Sequence, residues 1–211
     1  MSIAEAMTVF TDWGLAAVGL AVAIRLRALE DGQLPRRLWA ACFLAVALAA
    51  IAGGTSHGWA PRLAGTSRAA LWLVTYGLVG LGNVFILAGA VVAAARGGLR
   101  MGLLALVVVR FAAWFAFIAT KPDFRYVIYD YAGTLVGLLV LAACLARRRR
   151  PGGGWIAAGV AASLVGAAIQ RGGKGLGPTF NHNVLFHVAQ AVGLYFYFRG
   201  GSLLADAEIG Q

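Results

Sequence analysis

The chain has 211 residues, is 61% hydrophobic and only 12% charged, and has a mean hydropathy of +0.79. Such values exclude an ordinary water-soluble domain and point to a polytopic membrane protein. The formal net charge of +10 would suggest nucleic acid in a soluble chain. Here the basic residues fall in short loops between apolar runs, so they read as topology and lipid-headgroup contacts, with no nucleic-acid partner expected.

Seven runs approach the about 20 apolar residues needed to span a bilayer. They cover 8–28, 38–57, 67–96, 99–120, 124–145, 154–170 and 180–203. The residues before the first run, with Glu5 and no Lys or Arg, lack the basic start of a cleavable signal peptide, so that run is expected to stay. The connections are short and turn-like, as in Gly97-Gly98 and Pro151-Gly-Gly-Gly154. Cys42 and Cys144 lie inside apolar runs, which argues against a structural disulfide or a cysteine zinc site. We find no internal repeat. The sequence therefore predicts an all-α membrane protein, one domain over residues 1–211, formed by a seven-transmembrane helix bundle.

Basic residues set the expected orientation. Eleven Lys and Arg flank the first, third and fifth loops and the last helix end, against six on the alternate loops, with Arg110 left inside the fourth run. The positive-inside rule then places the N-terminus outside and the C-terminus in the cytoplasm, as expected for a plasma-membrane protein.

That orientation brings all three histidines to the outer side. His57 closes the second run in Gly53-Gly-Thr-Ser-His-Gly58, and His182 and His187 open the seventh in Asn181-His-Asn-Val-Leu-Phe-His187. Asp12, near the start of the first run, and Asp130, near the start of the fifth, reach similar depth. Ionisable groups at such depth face a bundle interior or a wet cavity. One reading is a catalytic zinc site. His57, His182 and His187 would be the ligands, Asp12 or Asp130 the base, and Ser56, with Thr55, a steadying group for an oxyanion.

The competing readings are structural. His57 can cap a helix end, His182 can lie exposed in a first turn, and His187 can hydrogen-bond between helices. His182 and His187 are five apart, ~140° around an ideal helix, whereas Asn183 and His187 share a face. A site of His57, His187, Asn183 and a carboxylate is the variant this spacing allows. Asp130 has a rival role as counter-ion of Arg110, at similar depth on the neighbouring helix. Asp12 has one as a helix cap. The polar pocket is expected between helices one, two, three, five and seven, with Tyr76 and Asn83 as further polar groups, and Gln170 at an outer helix end facing headgroups.

Seven helices, a histidine ending the second and a histidine pair opening the seventh resemble the CREST superfamily of membrane hydrolases. That superfamily includes alkaline ceramidases, progestin and adipoQ receptors and lipid-remodelling proteins of GPI anchors. The motifs, with Tyr197-Phe-Arg-Gly200, look most like a branch of small bacterial seven-helix proteins. The resemblance implies a zinc held by three histidines and hydrolysis of a lipid amide or ester near the extracytoplasmic face. The superfamily has a serine where this chain has Gly53 and a histidine where it has Asn183, and the acidic residue of its third helix has no counterpart near Arg68. Asp12-Trp13 resembles the acidic-tryptophan start of ceramidases, where calcium binds. A retinal protein is ruled out because no lysine lies between Phe180 and Leu203. The alternative to a hydrolase is a non-catalytic membrane protein that binds or carries a lipid or small molecule in a pocket lined by the histidines.

Overall fold

The computed structural model describes residues 2–29, 31–59 and 62–208; Met1, Glu30, Ala60, Pro61 and residues 209–211 lie outside the described residues. Seven helices and no strand are found among those described: α1 (Ile3–Ala28), α2 (Leu34–Trp59), α3 (Gly65–Ala94), α4 (Gly97–Thr120), α5 (Phe124–Arg147), α6 (Gly153–Gly172) and α7 (His182–Gly201). Helices α1 to α6 are long and apolar enough to cross a membrane. The pattern is that of a helical membrane protein. The seventh helix is 20 residues long but carries Asn183, His187 and Gln190, which face a central cavity rather than lipid.

Local chemistry fixes where the helices begin. α1 starts five residues before the apolar run because Ser2 and Glu5 form a capping box: the Glu5 N–H donates to Ser2 Oγ at 3.2 Å and the Ser2 N–H to Glu5 Oε2 at 2.7 Å. Asp12 thus sits in the third turn of α1 and is not a cap, correcting that alternative. Asp123 caps α5 by accepting the Arg125 N–H at 2.8 Å. α2 likewise runs through His57 to Trp59, so His57 does not end it.

Side-chain register gives the arrangement. Gly54 approaches Asp12 and Gly19 approaches Phe43, so α1 and α2 are antiparallel; Gly89 meets Trp39 and Gly82 meets Cys42, so α2 and α3 are too. α5–α6 and α6–α7 are antiparallel by the contacts Gly153–Ala142 and Gly159–Tyr197, with Tyr131–Ser163 and Gln170–Asn183. Two seams are parallel. Tyr76 meets Phe124, Asn83 bonds Asp130 and Leu87 meets Gly137, so numbers rise together along α3 and α5. They rise together again along α1 and α7, where Asn181 bonds Ala4 and His187 bonds Thr11.

The result is a closed ring, α1–α2–α3–α5–α6–α7, with α4 outside it against α3. Only Val107 and Ile118 of α4 are buried. α4 is tied to α5 by Arg110, which donates to the carboxylate and backbone carbonyl of Asp130 and to Thr134 Oγ1, and by the Trp114 Nε1–H, which donates to the Tyr126 carbonyl at 3.2 Å. A guanidinium midway along an apolar helix needs such a partner. Asp130 is therefore an ion-pair partner of Arg110 rather than a free base.

At the opposite end from the histidines the core is centred on Trp39, which is fully buried, donates its Nε1–H to the Ile86 carbonyl at 3.0 Å and packs against Tyr197. Gly89 and Gly201 admit this indole, since a Cβ on either would lie 2.4 and 2.6 Å from it. The C-terminal tail folds back over the same end. Asp206 accepts two bonds from Arg100, at 2.9 and 3.3 Å, its N–H donates to Gln33 Oε1 at 2.7 Å, and the Ala207 N–H donates to the Val92 carbonyl at 3.1 Å. Leu204 and Ala207 are buried beneath it.

Candidate functional site

The six ring helices enclose a cavity of about 410 Å³. Its volume is in the range of small-molecule sites. Most of the wall is apolar, and α4 contributes none of it, whereas α6, absent from the expected pocket, contributes Ser163, Ala167 and Gln170.

The outer part holds the group the sequence pointed to. His187, buried on α7, places Nε2 3.2 Å from Oδ1 of the buried Asp12 on α1. Its Nδ1 lies 2.9 Å from Thr11 Oγ1. Asn181 holds the two helices in this register. Its Oδ1 caps α7 by accepting the Asn183 and Val184 N–H groups at 2.9 and 3.1 Å, and its Nδ2 donates to the Ala4 carbonyl at 3.0 Å.

Proton counting constrains this triad. Thr11 Oγ1 also lies 3.0 Å from the Met7 and Thr8 carbonyls, and it has a single proton to donate. If that proton goes to the backbone, His187 Nδ1 carries the ring hydrogen and donates to Thr11. A neutral ring then has a lone pair at Nε2, and Asp12 must be the donor. If Thr11 donates to Nδ1, Nε2–H donates to an ionised Asp12. The first state holds one proton more than the second, so the contact can be made with either residue as the donor. Asp12 Oδ2 is buried without a hydrogen-bond partner among the described residues, so the carboxyl keeps unused capacity.

The other expected site residues divide. His57 lines the same cavity, with its ring edge-on to Trp72 at 5.4 Å. Asn183 lines it too and accepts from Gln170 Nε2 at 3.2 Å. His182 is the first residue of a regular α7 and does not line the cavity, because five positions turn it away from His187. Ser56 is buried on α2 with no hydrogen-bond partner among the described residues, and it is not part of the cavity wall. Thr55 donates to the Ile51 carbonyl at 2.7 Å. Asp130 is taken by Arg110 and by Asn83, whose Nδ2 donates to Oδ2 at 2.7 Å. Tyr76 and Asn83 line the cavity.

Zinc on three histidines does not fit this arrangement as it stands. Among the described residues no three His, Cys, Asp or Glu side chains converge on one point, and His182 is off the wall. The residues that do share the cavity are His57, His187 and Asp12.

Sequence reasoning missed Thr11, Gln190 and a hydroxyl cluster deeper in the cavity, made of Tyr131, Ser163 and Tyr197. A signal for part of it exists. Asn183, His187, Gln190, Leu194 and Tyr197 all line the cavity at helical spacing, so they form one stripe of α7.

A family model covers residues 7–206. No curated protein and no solved structure matches the sequence. Spanning nearly the whole ring, that match shows that the chain belongs to DUF6962, a family of unknown function.

Proposed function

We propose that this protein binds an amphiphilic membrane lipid in its central cavity and presents the lipid's amide or ester to the Asp12–His187 pair. The observation that supports the reading is a buried carboxyl–imidazole pair in hydrogen-bond contact on the wall of a largely apolar cavity. The apolar wall suits an acyl chain, and the pair suits a group that both accepts and donates hydrogen bonds. The protein lies in the plasma membrane of a bacterium as one seven-helix bundle. Its N-terminus faces outward, so the pair lies toward the extracytoplasmic side.

The second reading adds hydrolysis of that amide or ester, with zinc as the cofactor that the CREST resemblance implies. What supports it is that Asp12, His57 and His187 line one cavity, although the three would have to draw together to hold an ion. Elemental mass spectrometry of detergent-purified protein tests it. Near-stoichiometric zinc lost in His57→Ala and His187→Ala is the supporting result, and metal-free wild type purified without chelator sinks it.

Binding is tested with tritiated dodecanamide on purified protein by scintillation proximity, wild type beside His187→Ala and His182→Ala. Saturable binding lost in His187→Ala and retained in His182→Ala is expected. A wild type with no saturable binding refutes the lipid reading.

A further inference from the structure

The deep end of the cavity carries a second polar group that the Asp12–His187 pair leaves unused. The Tyr131 O–H donates to Ser163 Oγ at 2.8 Å, and Ser163 Oγ lies 3.1 Å from the Tyr197 hydroxyl. All three line the cavity, and Ser163 and Tyr197 are buried. Tyr197 has little freedom to turn away. Its ring packs against Trp39 and covers Gly159, where a Cβ would lie 2.6 Å from it.

Three hydroxyls bring three protons. The two contacts among them use two. One O–H remains, on Tyr197 if Ser163 donates to it and on Ser163 if the direction is reversed, and neither has another acceptor among the described residues. An unpaired buried donor is costly, so an acceptor in the cavity is strongly favoured.

We propose that this hydroxyl cluster is a second ligand-binding point, taking an oxygen at the far end of the bound lipid. It rests on the lipid-binding reading above and narrows the ligand class. Tyr197 follows His187 by ten residues on the same stripe of α7, a rise of ~15 Å. The ligand is therefore an extended apolar chain with a hydrogen-bonding head at the Asp12–His187 end and an acceptor oxygen about one cavity length away. A plain hydrocarbon tail would leave the spare O–H unpaired.

The test is displacement of tritiated dodecanamide, whose extended chain is of that length, by unlabelled dodecanamide and by its ω-hydroxy analogue. Wild type should bind the ω-hydroxy compound roughly fivefold more tightly, the worth of one neutral hydrogen bond. Tyr131→Phe/Ser163→Ala/Tyr197→Phe should lose that preference while keeping dodecanamide binding, because it removes all three hydroxyls and keeps the rings. Ser163→Ala should keep the preference, since it frees both tyrosine protons; a merely packing role for the cluster would not separate these variants. Dodecanamide binding with no ω-hydroxy preference in wild type overturns the second binding point and leaves the lipid reading standing. An unchanged preference in the triple variant overturns it as well. Absence of dodecanamide binding in wild type overturns both.

Discussion

Breaking the Arg110–Asp130 pair should have unequal consequences from its two sides. Asp130→Ala leaves a guanidinium, which cannot lose its proton, without a counter-charge midway along an apolar helix, with only the residue-130 carbonyl and Thr134 Oγ1 as acceptors. Removing one partner of a buried pair costs about 3–5 kcal/mol. The Arg110 side chain keeps 31% of its exposure while Asp130 keeps 7%, so we take the lower end, ~3 kcal/mol. For a chain of this size that lowers the melting midpoint by roughly 6–12 °C. Arg110→Ala leaves a carboxyl that still accepts from Asn83 at 2.7 Å and can neutralise itself by taking a proton. It should cost only about 1 kcal/mol. Arg110→Ala/Asp130→Ala should resemble Arg110→Ala alone, giving a coupling of about 2–3 kcal/mol in the double-mutant cycle. The assay is thermal unfolding in detergent, read by intrinsic fluorescence. Because neither Arg110 nor Asp130 is part of the cavity wall, dodecanamide binding should survive in the folded double variant. Additive losses, or an Asp130→Ala no worse than Arg110→Ala, would refute the reasoning.

Two further outcomes are expected. Gly89→Ala should destabilise by about 1–3 kcal/mol in the same melting assay, since the new methyl would lie 2.4 Å from the fully buried Trp39 ring and 3.1 Å from the Pro35 carbonyl; an unchanged midpoint would show that the indole has room to shift. The side chain of Arg125, then its N–H, hold the Asp123 carboxyl below its ordinary value of 3.8. A lowered folded pKa means that the stabilisation is present above that ordinary value and is lost as pH falls through the lower one. The stability difference between wild type and Asp123→Ala should therefore be flat from neutral pH to about 4 and shrink only below it, and a difference that fades between pH 7 and 5 would contradict this.

Much of the helix layout is legible in the chain because apolar run length is a strong signal, and helix ends moved where caps intervened, as Ser2 and Glu5 do for α1. That His57, His187 and Asp12 lie toward the same side was readable from parity alone: odd helices begin, and even helices end, at that side. Helical period also separated His182 from His187 and paired Asn183 with it. What composition could not show is which helices enclose the cavity. Ser163 looks like any small polar residue in an apolar run until Tyr131 and Tyr197 arrive from two other helices. The docking of the tail through Asp206, Arg100 and Gln33 likewise depends on three distant segments meeting.

The position of α4 has a consequence for how the chain can be built. Each three-helix unit, α1–α3 and α5–α7, runs forward, back and forward, and the units meet along two seams whose partners point the same way. A short loop from α3 would deliver the next helix reversed, and the ring could close only with antiparallel seams. One additional pass returns the chain to its starting side and lets the second unit repeat the sense of the first. α4 thus acts as a return stroke. Its sequence should tolerate wholesale replacement by another apolar helix that retains Arg110. Deleting it should instead invert everything downstream, carrying His187 to the opposite side of the membrane from Asp12.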